Sequence, residues 1–163
     1  WALRATGMIP VARASSAAAA KQSLDTARHL AERRAGVIVY PEGTLTRDPD
    51  LWPMRGKTGA ARLALAGDIP LIPMAQWGAQ QIMPRYGKFR LWPLRKRVRV
   101  LVGPSIALEE YRDRAAHPVA QAELTTRVMD EIAGLLSVLR GEPAPATRWE
   151  PGAHGQSETG RLE

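Results

Sequence analysis

Val37-Ile38-Val39-Tyr40-Pro41-Glu42-Gly43-Thr44 is the stretch whose reading decides the fold. Val37 to Tyr40 is a continuous β-branched and aromatic run between Gly36 and Pro41, the pattern of a central strand covered on both faces. Upstream, Ser15-Ser16 can cap a helix through Lys21, Leu24, Ala27, Leu30 and Ala31, whose spacing turns one face inward, with Gly36 as its stop. A helix that feeds a buried strand predicts a parallel α/β unit. The expected class is therefore α/β, a mostly parallel sheet flanked by helices.

Working outward, Pro41 to Arg55 carries prolines and acidic residues without an apolar period, so it reads as a loop leaving the C-terminal end of that strand, where open α/β sheets place ligands. Lys57 to Ala66 is alanine-rich and helical, with Gly67 as its expected cap. Ile69 to Trp77 is a further strand, placed at an edge because Pro70 and Pro73 cannot donate to a ladder. Val98, Val100 and Val102 alternate with Arg99 and Leu101 as another strand, and Met8 to Val11 is a short apolar segment. Between Pro118 and Arg140, Leu124, Val128, Ile132, Leu135 and Leu139 recur at helical spacing, the mark of an amphipathic helix. After Gly141 the chain turns to Pro, Gly, Ser, Thr and charge, the composition of a disordered tail. The predicted division is residues 1–140 as one domain, N-terminally incomplete, and 141–163 as tail.

The 163 residues suit a single domain, and the net charge of +7 favours anionic partners: phosphate-bearing small molecules, lipid headgroups or nucleic acid. Without cysteine the chain has no disulfide, thiolate metal site or cysteine nucleophile. Ile69 to Pro84, the longest charge-free run of interest, is broken by prolines and short of the roughly 20 apolar residues a bilayer span needs. Any meeting with a membrane is expected from its surface. Trp1 to Arg13 reads as fold and not as a leader, so further sequence is expected upstream.

The chemistry concentrates after Tyr40. A turn carrying Glu42, Gly43 and Thr44 can hold a polyol through the carboxylate and hydroxyl while glycine admits close backbone approach. Arg47 and Lys57 can then neutralise a phosphate, one as a fork and the other as a point charge. The plainer alternative is a proline-initiated turn with a solvated glutamate, and the residues by themselves leave both open.

Tyr40-Pro41-Glu42-Gly43-Thr44 resembles the Phe-Pro-Glu-Gly-Thr block of the glycerol-phosphate and lysophosphatidic acid acyltransferase superfamily, and Lys57-Thr58-Gly59-Ala60 its downstream Lys-x-Gly-Ala segment. Gly7 to Arg13 is similar to the Gly-x-Ile-Phe-Ile-Asp-Arg block, and Ile69 to Ala75 to the Ile-Pro-Ile-Val-Pro-Val block. The resemblance implies acyl transfer to the free hydroxyl of a lysophosphatidate-type acceptor. Acyl-CoA or acyl-ACP would be the co-substrate, with no cofactor and no metal, and the chain would sit peripherally on the cytoplasmic face of an anionic membrane. It implies acceptor binding by Arg13, Glu42, Gly43, Thr44, Arg47 and Lys57. Two positions depart: Leu45 stands where the family has arginine, with Arg47 as the expected substitute, and Ala12 replaces the acidic residue before Arg13.

The resemblance also implies a His-x-x-x-x-Asp block, whose histidine removes the acceptor proton while the aspartate orients the imidazole. His29, His117 and His154 are followed at that spacing by Arg34, Ala122 and Thr159. The catalytic histidine is therefore expected before Trp1. Two other readings compete. Gly56-Lys57-Thr58 ends like a phosphate-binding loop, but Leu51 occupies the required first glycine. Arg85 to Arg99 is an acid-free basic run interleaved with Tyr86, Phe89 and Trp92, which suits a nucleic-acid-binding module, an anionic lipid surface or a solvated hairpin. No nucleic acid is expected if the family resemblance holds.

Overall fold

The computed structural model describes residues 25, 29, 32–34, 36–90 and 92–157. Its elements in chain order are helix α1 (Gly59–Gly67), strands β1 (Met74–Trp77) and β2 (Arg99–Val102), the single-turn helix α2 (Glu109–Arg112) and the long helix α3 (Pro118–Arg140). Met8 to Val11 and most of the predicted helix after Ser16 lie outside the described residues, of which Asp25, His29, Glu32 and Arg33 are helical.

Local chemistry explains the helix ends. α3 begins where His117 Nδ1 accepts a bond from Val119 N at 3.3 Å, with Pro118 in the first turn, where its missing N–H is not needed. It ends at Gly141, whose positive φ of 75° allows its N–H to reach Ser137 O at 2.8 Å. In α1 the left-handed cap is Asp68 and not Gly67, a substitution that aspartate tolerates.

The sheet corrects the expected topology. Among the described residues β1 and β2 form one two-stranded antiparallel ladder, Met74 opposite Val102 and Trp77 opposite Arg99, in place of a mostly parallel sheet. A parallel pair needs a crossover, usually helical, whereas here β1 and β2 are joined by a long hairpin loop. Val37 to Tyr40 has no ladder partner among the described residues, and each of its side chains is exposed. β-branched composition gives a run the ability to pair, but only a neighbouring edge makes it a strand. Ile69 to Trp77 is shorter as a strand than predicted: beyond β1 it contributes one bridge, Leu71 to Ile106, because the prolines interrupt it.

α3 is the packing centre. Ala120, Leu124 and Val128 join Ala61 and Ala64 of α1 with Ile106, Leu108 and Tyr111 in one buried cluster. One end of the helix supplies Leu136 and Leu139 to a second cluster with Trp52 and Ala75. One face of the ladder thus meets α3, while Met74, Val100 and Val102 on the other face are exposed. After Gly141, where composition predicts a disordered tail, residues 142–157 make defined contacts. Arg148 pairs with Asp130, Pro151 is buried, and Trp149 stacks on His154 with ring centroids 3.6 Å apart. Aromatic and cationic contacts here do what aliphatic residues do elsewhere.

The loop before α1 approaches α3 closely at Gly56. A Cβ there would stand 2.8 Å from Met129 Cγ and 3.0 Å from Thr125 Cγ2, and Met129 is fully buried. Gly56→Ala is expected to cost about 1–3 kcal/mol by overpacking, lowering Tm by roughly 3–10 °C in a chain of this size. A thermal melt indistinguishable from the parent would show that the loop and α3 are not in this contact.

Candidate functional site

The residues from Pro41 to Thr58 form a loop closed on itself before any ligand arrives. Gly43 N donates to Tyr40 O at 3.0 Å, making a tight turn of Tyr40-Pro41-Glu42-Gly43, and the positive φ of 67° at Gly43 is the reason glycine stands there. Lys57 N donates to Pro41 O at 2.8 Å, which brings the far end of the loop back to its start. Between these, Thr46 Oγ1 donates to Trp52 O at 2.6 Å, and Asp48 Oδ1 accepts from Asp50 N at 2.7 Å.

Side chains from distant elements lock the loop from outside. The Arg85 guanidinium donates to Thr46 O and Asp48 O, although Arg85 lies beyond β1. Arg140, at the end of α3, donates to Asp50 O at 2.6 Å and pairs with Glu142. Its guanidinium also sits 4.2 Å from the Trp52 ring centroid and 4.4 Å from that of Trp77. Each such cation–π contact is worth about 0.5–2 kcal/mol depending on desolvation. Sequence reading missed both arginines as parts of this loop, since long-range donation to backbone oxygens leaves no pattern in the sequence.

Glu42 is turned inward. Its Oε2 accepts from the N–H of buried Met54 at 3.0 Å, so the carboxylate bridges the two limbs of the loop. Burial pushes its pKa above the ordinary glutamate range, the Met54 N–H opposes this, and the nearby Asp48 charge adds to the rise. A raised pKa in the folded state means that the fold holds the proton more tightly than the unfolded chain. This contribution to stability is present at low pH and is lost as pH climbs from the ordinary glutamate value through the folded one.

The other predicted residues divide. The Lys57 side chain lies over Gly43, its Cδ 3.5 Å and Nζ 3.9 Å from where a Cβ would be, and the residue is exposed. Thr44 is half-buried in the same turn. Arg47 is displaced from the surface role expected of it: it is only 1 % exposed, and its N–H donates to Met54 Sδ at 3.0 Å. It cannot replace the missing arginine at an acceptor phosphate because the loop folds over it. Arg13 lies outside the described residues. Glu42, Gly43, Thr44 and Lys57 are thus brought together, and Arg47 is not among them.

A cavity of about 790 Å³ lies elsewhere, between the Trp52 to Arg55 segment, α3 and the chain after Gly141, lined by residues including Arg55, Asp130, Arg148 and His154. None of the four clustered residues lines it. The histidines occupy other places: His29 is exposed, His117 caps α3 and His154 stacks on Trp149. No helix among the described residues is long and apolar enough to cross a membrane.

Known proteins resemble about half of this chain. The family model described as Acyltransferase matches residues 1–77. A 1-acyl-sn-glycerol-3-phosphate acyltransferase of Limnanthes douglasii is 35 % identical over 86 residues, covering 53 % of this chain and 30 % of the relative. A chloroplastic 1-acyl-sn-glycerol-3-phosphate acyltransferase of Brassica napus is 31 % identical over 84 residues, 52 % of this chain and 24 % of its own length. The chain thus spans less than a third of the length of these curated relatives. No solved structure matches.

Glu42→Ala is expected to strand the buried Met54 N–H and cost about 1–3 kcal/mol, whereas Glu42→Gln keeps an oxygen acceptor and costs less. Urea unfolding across about pH 4 to 7 provides the check. The parent should lose stability relative to Glu42→Gln as pH rises through this window, and parallel pH profiles would mean that the carboxyl does not titrate with folding.

Proposed function

Because residues 1–77 match the family model described as Acyltransferase and the chain is similar to 1-acyl-sn-glycerol-3-phosphate acyltransferases, we propose that the Pro41 to Thr58 loop holds the glycerol phosphate end of a lysophosphatidate-type acceptor. The reaction is transfer of an acyl group from acyl-CoA or acyl-ACP to the acceptor's free hydroxyl. The observation that carries this reading is the pre-closed turn with an exposed ammonium above Gly43, tied by the Lys57 N to Pro41 O bond of 2.8 Å. A site whose backbone is already ordered does not lose that entropy again on binding.

In this reading Lys57 and Arg13 face the acceptor phosphate. The Thr44 hydroxyl donates to or accepts from the glycerol, the remaining lone pairs of Glu42 accept from its hydroxyls, and Gly43 lets the acceptor lie against the backbone. The acceptor oxygen attacks the thioester carbonyl, the new ester C–O bond forms as the C–S bond breaks, and the hydroxyl proton passes through a base to the departing thiolate. Glu42 is not that base, because one of its carboxylate oxygens is held by the Met54 N–H and its part in this reading is to hold the glycerol. None of His29, His117 and His154 has an aspartate at the family spacing, so the base belongs to a His-x-x-x-x-Asp block outside residues 1–163. The chain works as a peripheral protein at the membrane that contains its lipid acceptor.

Two measurements test this. Glycerol 3-phosphate should bind the 163-residue chain, and Lys57→Gln should weaken that binding about fivefold, as loss of one exposed charge-assisted contact requires. Thioester cleavage with lysophosphatidate should be negligible for the chain alone. It should rise about 10² to 10⁴-fold when a His-x-x-x-x-Asp block is joined to it, and fall again when that histidine becomes alanine. Equal turnover in all three proteins would place the chemistry in residues assigned here to binding.

A further inference from the structure

The loop between β1 and β2 combines three properties that the acceptor site does not use. First, together with the first residue of β2 it contains the whole of the protein's net charge. Arg85, Lys88, Arg90, Arg95, Lys96, Arg97 and Arg99 lie in a stretch without a single acidic residue from Ile69 to Leu108, and the remaining Lys and Arg of the chain equal its 16 Asp and Glu. Second, it exposes large apolar side chains: Met83 at 64 %, Phe89 at 58 %, Trp92 at 81 % and Leu94 at 78 %. Such side chains tend to be covered, so a cluster of them with a cationic surround marks a surface made for a partner.

Third, the loop is built and not loose. Gly78 at its base has a positive φ of 109°, and a Cβ there would meet Arg97 O at 2.1 Å, so the two limbs are in close backbone contact. Arg90 N donates to Ile82 O at 2.8 Å, and Lys96 Nζ donates to Gln81 O at 2.7 Å and to Arg90 O. The basic residues therefore divide by task. Arg85, Lys96 and Arg99 spend their donors on backbone oxygens within the protein, Arg99 on Leu139 O. Lys88, Arg90, Arg95 and Arg97 have no ion-pair partner among the described residues, and all four are exposed.

We propose that this hairpin loop docks the protein on an anionic lipid bilayer, with Phe89, Trp92 and Leu94 entering the headgroup and acyl boundary and the four unpaired cations lying at the phosphate level. Aromatic rings favour that boundary, and Lys and Arg stems lie along apolar surface while their charges stay in water. A nucleic acid would satisfy the cations, and its bases would stack on Phe89 and Trp92, but it offers nothing to Leu94 and Met83. A bilayer satisfies both sets. This inference stands on the loop's own geometry and does not depend on the acyl-transfer reading.

Vesicles of neutral phosphatidylcholine and vesicles containing phosphatidylglycerol, sedimented with the 163-residue chain, provide the test. Binding is expected only to the anionic vesicles at moderate salt and is expected to weaken as salt rises. Lys88→Gln with Arg90→Gln, or Arg95→Gln with Arg97→Gln, should each lower partitioning about thirtyfold, since each cation near the surface contributes about 1 kcal/mol. Lipids brominated near the headgroup should quench tryptophan emission of the parent and not of Trp92→Phe, while Trp92→Phe keeps its affinity within about twofold. The variants alter exposed side chains, so unchanged melting curves certify their folds. Partitioning that ignores the charge changes, quenching that persists in Trp92→Phe, or tighter binding to duplex DNA than to anionic vesicles at equal salt would each overturn the proposal.

Discussion

The burial of α3 is the constraint on which the rest of this structure depends. Leu124 and Met129 are fully buried, and the helix supplies residues to both hydrophobic clusters. Burying one leucine or methionine side chain contributes about 1.5–3 kcal/mol. A two-stranded ladder and a nine-residue helix such as α1 have little stability by themselves. Laid against α3, both acquire a core. The loop before α1 has a share in the same surface, because Gly56 leaves room for Met129 and Trp52 joins Leu136 and Leu139.

The loop that carries the acyltransferase resemblance is therefore a product of the whole fold. Arg140 stands between Trp52 of the loop and Trp77 of β1 while bonding to Asp50 O, and Arg85 comes from the β1–β2 connection to bond Thr46 O and Asp48 O. Two cations hold backbone oxygens so that Lys57 remains exposed above the Gly43 turn. Arg47, which has the right charge and the right sequence position for an acceptor phosphate, is buried beneath the loop instead. Clustering of cations in sequence does not distribute them between structure and ligand; burial does.

The β1–β2 connection follows the same division. Two of its cations, Arg85 and Lys96, and Arg99 at the start of β2 are turned to backbone oxygens, and four face outward beside exposed aromatic and aliphatic side chains. One loop thus has an inner set of charges that fixes its shape and an outer set available to a surface.

Much was legible in the sequence alone. Helical spacing and its end signals located α3 from Pro118 to Arg140, because period, proline at the start and glycine at the end are local properties. Pro-Glu-Gly-Thr marked the turn whose positive φ only glycine adopts freely. The tertiary structure decided what depends on partners. Val37 to Tyr40 has strand composition yet no ladder among the described residues, since pairing requires an edge that composition cannot report. It also set the antiparallel sense of the ladder, the inward turn of Glu42 to Met54 N, and the burial of Arg47. The chain after Gly141, whose composition reads as a disordered tail, gained its contact with α3 in the same way, because Asp130 and Arg148 are neighbours only in space. Local preference sets which shapes a segment can take, and the choice among them belongs to whatever the rest of the chain places beside it.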